Sequence, residues 1–180
     1  MYSNRRAVLP TESVDDLAGS TVHNDLLTGL GDRNKLFVDL AQALEPGRPP
    51  SVLAVFDLVG WSEYRRLFGL RASDGLTNQF AEAFTLVMQP VGACYYMPRN
   101  DEFCALITQP TDDVWSVLIA VVGALNDVGE SSLISAFFGA TFLPDEADDP
   151  IDALMLADER LGLGLLNGKT RERRQHPRPR

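Results

Sequence analysis

The sequence holds little from which to build a metal or disulfide scaffold: two cysteines and two histidines in 180 residues. Cys94 and Cys104 match no metal or redox spacing. They fall on apolar alternations and read as small core residues in a reducing compartment. Long apolar runs are also missing. The most apolar stretch, Val114–Leu125, is interrupted by Ser116. It falls short of the roughly 20 residues a membrane span requires, so no membrane insertion is expected. The opening MYSNRRAVLPTESVDD has two arginines but no apolar run behind them, which is not the pattern of a secretory signal. The expected location is cytoplasmic.

Basic charge is the remaining shortage. Sixteen Lys and Arg face 25 Asp and Glu, a net charge of −9. Six of the sixteen (Lys169, Arg171, Arg173, Arg174, Arg178 and Arg180) lie in Gly168–Arg180 beside one acid, Glu172. Without that tail the body carries 10 basic and 24 acidic residues, or −14. So acidic a body argues against nucleic acid as a partner. The tail reads as a solvated, disordered end, or as a contact for an acidic partner, RNA or a neighbouring acidic domain.

What is present is ordinary globular material, 45% hydrophobic and 8% aromatic. The length suits one domain that buries about 70% of its unfolded surface. Three segments follow: residues 1–24 as an extension with a short helix over Thr11–Ala18, 25–167 as the domain, and 168–180 as the tail. Asp32 predicts the N-cap of a helix from Arg33 to about Leu44, with Leu36, Phe37, Leu40 and Leu44 on one face. Ser51–Asp57 (SVLAVFD) reads as a buried central strand ending in a carboxylate. Gly60–Phe68 predicts a short helix stopped by Gly69, and Ser73 caps a second helix to about Met88. Val91–Met97 and Phe103–Ile107 flank a hairpin turn, Pro98–Glu102. Asp112 or Asp113 starts a helix over Val114–Leu125, Ser132–Phe142 is a strand, and Ile151–Leu166 is helical. The chain is therefore α/β (α+β), and a split βαβ arrangement with helices on one sheet face fits best.

His23-Asn-Asp-Leu-Leu-Thr-Gly-Leu-Gly-Asp-Arg33 resembles the opening signature of GGDEF domains, the diguanylate cyclase family. The strand ending at Asp57, Ser73-Asp74, the hairpin Arg99-Asn-Asp-Glu-Phe103, and Ala157-Asp158 follow in the family's order, from about Asn24 to Lys169. The resemblance implies a nucleotide-cyclase-like fold, a central mostly antiparallel sheet of four to five strands with surrounding helices. It implies bacterial cyclic di-GMP-type signalling, in which a dimer of such domains joins two GTP with a divalent cation, Mg²⁺ or Mn²⁺. Phosphoryl transfer of that kind is mostly positioning and charge neutralisation. By the resemblance, Asp57, the Leu58 carbonyl and Asp101 bind metal, and Glu102, with Asp101, serves catalysis. Asp74 contacts the guanine edge, and Arg65, Arg99 and Lys169 belong to the nucleotide site. Asp57 and Asp101 are expected to converge at the mouth of the sheet.

The departures from the family pattern are as informative. Arg99 and Asn100 replace the paired glycines that let backbone approach phosphate. Val59 replaces a second carboxylate, Ser62 a lysine, and Arg65-Arg66 an Asn-Asp pair. Leu165 stands where a phosphate-binding lysine belongs, and Pro90 and Ala93 where the product-inhibition pair belongs. Local readings compete with the functional ones. Asp57 also suits a turn that caps the next helix, Asp101-Glu102 plain hairpin polarity, Asp74 a helix-start acid, and Arg65-Arg66 a solvated face. His23 reads as a surface or packing residue, and Phe137, Phe138 and Phe142 as packing. Three functions remain: a degenerate domain acting as a nucleotide-binding or protein-interaction module, an active diguanylate cyclase, or another nucleotide-processing enzyme. The first implies a monomer or weak homodimer.

Overall fold

A computed structural model describes residues 23–98, 101–109, 111, 113–129 and 133–175, with side chains described as far as Gly164. The predicted helix over Thr11–Ala18 and the alternative cap Asp112 lie outside the described residues.

The apolar run in the middle of the sequence becomes the centre of the sheet. Strand β1 (Ser51–Val59) lies between β3 (Glu102–Ile107) and β4 (Ser135–Leu143), and β2 (Gly92–Met97) flanks β3. The order is β2-β3-β1-β4, and every pairing is antiparallel. Ser51 through Phe56 are all buried. Consecutive residues of a strand face opposite sides, so an unbroken buried run demands cover on both faces.

Helices supply that cover on both sides. This corrects the expectation of helices on one face only. Helices α2 (Trp61–Met88) and α3 (Val114–Gly129) close one side, with Phe80, Phe84, Leu118 and Leu125 packed on Val52, Ala54 and Phe56. Helices α1 (Arg33–Ala43) and α4 (Pro150–Gln175) close the other, with Leu36, Leu40, Ala157 and Leu161 against Leu53 and Val55. Fully burying one such large apolar side chain stabilises by about 1.5–3 kcal/mol. The edge-on Phe56–Phe84 pair, with centroids 5.3 Å apart at 76°, adds about 0.5–1.5 kcal/mol. Phe138 and Phe142 pack against Trp115, as expected of packing residues.

Asp32 caps α1 by accepting from the Lys35 backbone N–H at 2.8 Å. The two helices predicted over 60–88 are present, run together as α2 but broken at Gly69, whose backbone is non-helical with a φ of 79° that a side chain would strain. Helical structure resumes at once after Gly69, so Ser73 is not a cap. It is buried within the helix, and its hydroxyl donates to the Leu70 carbonyl at 2.8 Å. Strand β4 begins later than Ser132 because Leu133 turns the chain with φ of 57°. Helix α4 continues past Gly168 to Gln175.

The segment before α1 closes the sheet. Asp25 Oδ1 accepts from the backbone N–H of Leu27 and Thr28 and from the Thr28 hydroxyl, fixing a tight turn. Gly31 then joins β2: its N–H donates to the Cys94 carbonyl at 3.0 Å, and its carbonyl accepts from Tyr96 N–H at 2.9 Å. A Cβ on Gly31 would stand 2.5 Å from the Tyr95 ring, so only glycine fits. The Leu-Thr-Gly-Leu signature thus has a structural task, forming the turn that lays Gly31 against the outer edge of β2.

Candidate functional site

The acids gather at the end of the sheet where β1 finishes and the β2–β3 hairpin turns, but on two different faces. Asp101 occupies the turn with φ of 54°, a conformation Asp tolerates better than most residues. Its Oδ1 accepts from the Tyr96 phenol at 3.1 Å, and its Oδ2 lies 3.5 Å from a guanidinium nitrogen of Arg65. Tyr96 belongs to the α2/α3 core and Arg65 to α2. The Asp101 carboxylate is therefore directed to the α2 side. Burial, and then the Asp101 charge beside it, push the Tyr96 phenol above its ordinary pKa and keep it protonated as a donor.

Glu102 opens β3 opposite Met97 and alternates with Cys104 and Leu106, which belong to the α1/α4 core. It lines a cavity of about 230 Å³ on that side, with Arg33, Val55, Met97, Met155 and Asp158. Asp57 is half-buried at the far end of β1, paired with Phe137. Phe56 and Leu58, on either side of it, belong to the α2/α3 core, so alternation places Asp57 on the α1/α4 face with Glu102. The structure thus brings Asp57 and Glu102 to one face and does not bring Asp57 and Asp101 together there. Helix α2 starts from Gly60, with no side chain capping it. Larger cavities, of about 480 and 330 Å³, lie at the opposite end of the sheet around Ser51 and Thr108, and none of the implied site residues lines them.

Of the other implied residues, Leu58 is buried in β1 and Asp74 is exposed on α2 beyond the kink. Arg65 is exposed, and its neighbour Arg66 is engaged by Glu63 at 2.6 Å rather than by the hairpin. Arg99 and Asn100 lie outside the described residues, as do the side chains of Leu165 and Lys169. His23 is a half-buried neighbour of Asp32, 3.9 Å away. Two participants escaped the sequence reading. Tyr96 could have been found from its place five residues before Asp101 across a tight hairpin. Arg33, already quoted in the opening signature, lines the same cavity as Glu102 from the first turn of α1, with its guanidinium over the Phe37 ring.

A divalent cation held by Asp57, the Leu58 carbonyl and Asp101 does not fit the residues as placed. Asp101 is turned toward a phenol and a guanidinium on one side of the sheet, while alternation puts Asp57 on the other. Among the described residues, no three His, Cys, Asp or Glu side chains gather closely enough to hold a metal.

Sheet order, helices on both faces and acids at the hairpin define an α/β domain of the nucleotide-cyclase kind. Residues 22–171 match the family model described as "Diguanylate cyclase, GGDEF domain", and the chain belongs to that family. Solved structures agree in fold. Diguanylate cyclase SiaD from Pseudomonas aeruginosa, in complex with its activator SiaC, superposes with a TM-score of 0.71 at 21% identity, over 82% of this chain and 59% of that one. The FimX GGDEF domain from the same organism gives 0.70 at 20%, covering 81% and 94%. The coiled coil and GGDEF domain of DgcB from Caulobacter crescentus, in complex with c-di-GMP, gives 0.62 at 19%, covering 81% and 82%. Comparison with curated protein sequences gives no match. Among the described residues, no helix is long and apolar enough to cross a membrane.

Proposed function

We propose that this chain is a GGDEF domain that does not cyclise GTP and serves as a nucleotide-binding or protein-interaction module in cyclic di-GMP-type signalling. The observation that carries the reading is the division of the acids. Of the two carboxylates meant to share a cation, Asp101 has a phenol donor and a guanidinium at 3.5 Å on the α2 side, and strand alternation assigns Asp57 to the other face, which supports this reading. The sequence adds to it. Arg99 and Asn100 place side chains where phosphate must approach backbone, Val59 and Leu165 remove a carboxylate and a cation, and Arg65 removes an amide from the guanine edge. Each loss of a transition-state contact costs about 2–4 kcal/mol, a factor of hundreds in rate.

Ligand binding is a separate matter from turnover. Asp74, Arg65, Arg99 and Lys169 remain as groups for a guanine nucleotide such as GTP, and Mg²⁺ or Mn²⁺ could enter only as a companion of that nucleotide. A domain with no bimolecular reaction to perform needs no tight dimer, so a monomer or weak homodimer is expected. The test is incubation of the purified chain with GTP and Mg²⁺ or Mn²⁺, with all products separated by chromatography. The expected result is GTP unchanged. Cyclic di-GMP that disappears in Asp101→Ala or Glu102→Ala would replace this reading with that of an active cyclase. Restoring both glycines at 99 and 100 and placing Lys at 165 is expected to strengthen nucleotide binding before any turnover appears.

A further inference from the structure

We propose that Arg65 is the built-in counter-ion of the hairpin acid, holding Asp101 in the place of a divalent cation and so keeping Mg²⁺ and Mn²⁺ out of the site. The inference rests on reading the domain as non-catalytic.

Three elements meet at this point. Arg65 comes from the half of α2 before the kink, Tyr96 from β2, and Asp101 from the turn. The Asp101 carboxylate accepts a hydrogen bond from the phenol at 3.1 Å on one oxygen and forms an ion pair with the guanidinium at 3.5 Å on the other. A bound Mg²⁺ or Mn²⁺ needs that carboxylate turned toward itself within an octahedron of oxygens. A guanidinium beside the same acid opposes this by neutralising the carboxylate and repelling a second cation, while the phenol holds the other oxygen. The other acid whose charge reaches the Tyr96 phenol, Asp25, is engaged through Oδ1 by the Leu27 and Thr28 amides and the Thr28 hydroxyl. Glu102 is on the opposite face, and alternation places Asp57 there too. The neighbouring arginine cannot substitute, because Arg66 is held by Glu63. Arginine suits the task, since it stays charged at any working pH and its fork can grip a carboxylate in a fixed direction. The result is a latch between α2 and the hairpin that needs no metal.

The experiment is calorimetric titration of the whole chain with Mn²⁺ alone. Arg65 is exposed, so its replacement leaves the core intact, and circular dichroism verifies this. The wild-type chain is expected to show no saturable uptake. Arg65→Gln is expected to bind Mn²⁺ at least about tenfold more tightly, a change of about 1.4 kcal/mol, and Asp101→Asn added to it is expected to abolish the gain. Arg65→Lys keeps a cation there and is expected to behave as wild type. Saturable Mn²⁺ binding by the wild type that Asp101→Asn removes would overturn the proposal. So would an Arg65→Gln variant that gains nothing. No nucleotide enters this titration, so the two readings fail separately. Cyclic product in the GTP assay defeats the functional reading, whereas Asp101-dependent Mn²⁺ binding without product defeats only the latch.

Discussion

Tyr95 and Asp39 are 56 residues apart in the chain, and the phenol of one donates to Oδ2 of the other at 2.6 Å. The same carboxylate accepts from Lys35 Nζ at 2.9 Å. The contact ties the inner side of β2 to α1. Burial, followed by the Asp39 hydrogen bond, raises the phenol well above its ordinary pKa of 10, so it donates throughout the range in which the protein folds. Tyr95→Phe keeps the buried ring and removes only the donor. The expected cost is about 1–2 kcal/mol in urea unfolding. A change below about 0.5 kcal/mol would show that Lys35 satisfies Asp39 unaided.

Gly31→Ala is expected to cost about 1–3 kcal/mol, because its Cβ must displace a fully buried ring held between α1 and the sheet. Hydrogen exchange separates this from a general loss of stability. The amide of Tyr96, bonded to the Gly31 carbonyl, should lose protection earlier than amides of β1. Equal loss across the sheet would count against a local role for the bridge.

The pair Glu146–Arg160 gives a pH signature. Two hydrogen bonds from the guanidinium, at 2.6 and 2.7 Å, and one from Phe142 N–H hold the carboxyl down from its ordinary 4.5 to about 2. A depressed carboxyl stabilises the fold fully above the unfolded value and loses that contribution as pH falls through the folded one. Both side chains are about one-third exposed, so screening leaves at most about 1 kcal/mol. Wild type should therefore exceed Glu146→Gln in urea midpoint at pH 6, and the two should converge between pH 4.5 and 2. A constant difference down to pH 2 would mean that the glutamate contributes shape rather than charge.

Neither thiol should react readily in the folded chain. Burial pushes Cys94 up to about 12 and Cys104 higher still. At pH 8 a thiol of that kind is about 10⁻⁴ thiolate, and thiolate is the reactive form. Ellman's reagent should titrate both cysteines in denaturant and almost none without it. Rapid modification of Cys94 in the native state would contradict its packing beside Thr85.

The elements were legible wherever one physical signal dominated. The run Ser51–Phe56 announced a central strand because its alternate positions are all apolar. That alternation was also the evidence for two covered faces, and the expectation of helices on one side overlooked it. Asp32 announced a helix start because its carboxylate can reach the Lys35 amide. Gly69 signalled a helix stop because it can take a positive φ, and the helical backbone does break there, at φ 79° and ψ 178°, before a second helix begins. The site was harder to read. Spacing shows that Asp57, Asp101 and Glu102 meet at one end of the sheet. It does not show that Asp101, at a positive φ, turns away from its sequence neighbour Glu102. Nor could a helix position alone tell whether Arg65 faces water or the hairpin, since that depends on where the turn folds back.

The partly covered edges of the sheet bear on how the chain behaves among its own copies. Unpaired strand edges are templates on which other chains can polymerise. At one edge the segment through Gly31 is laid along β2 and takes up Cys94 O and Tyr96 N–H. At the other, Asn126 accepts from Ala136 N–H, Arg160 donates to Ala140 O, and Glu146 accepts from Phe142 N–H, so three residues of β4 each have one backbone group engaged by a side chain. An invading strand would have to strip these contacts one by one before it paired with the whole of β4. That is a kinetic barrier to fibre growth set by three polar residues remote from the hairpin acids, and one that substitutions around Asp101 would leave untouched.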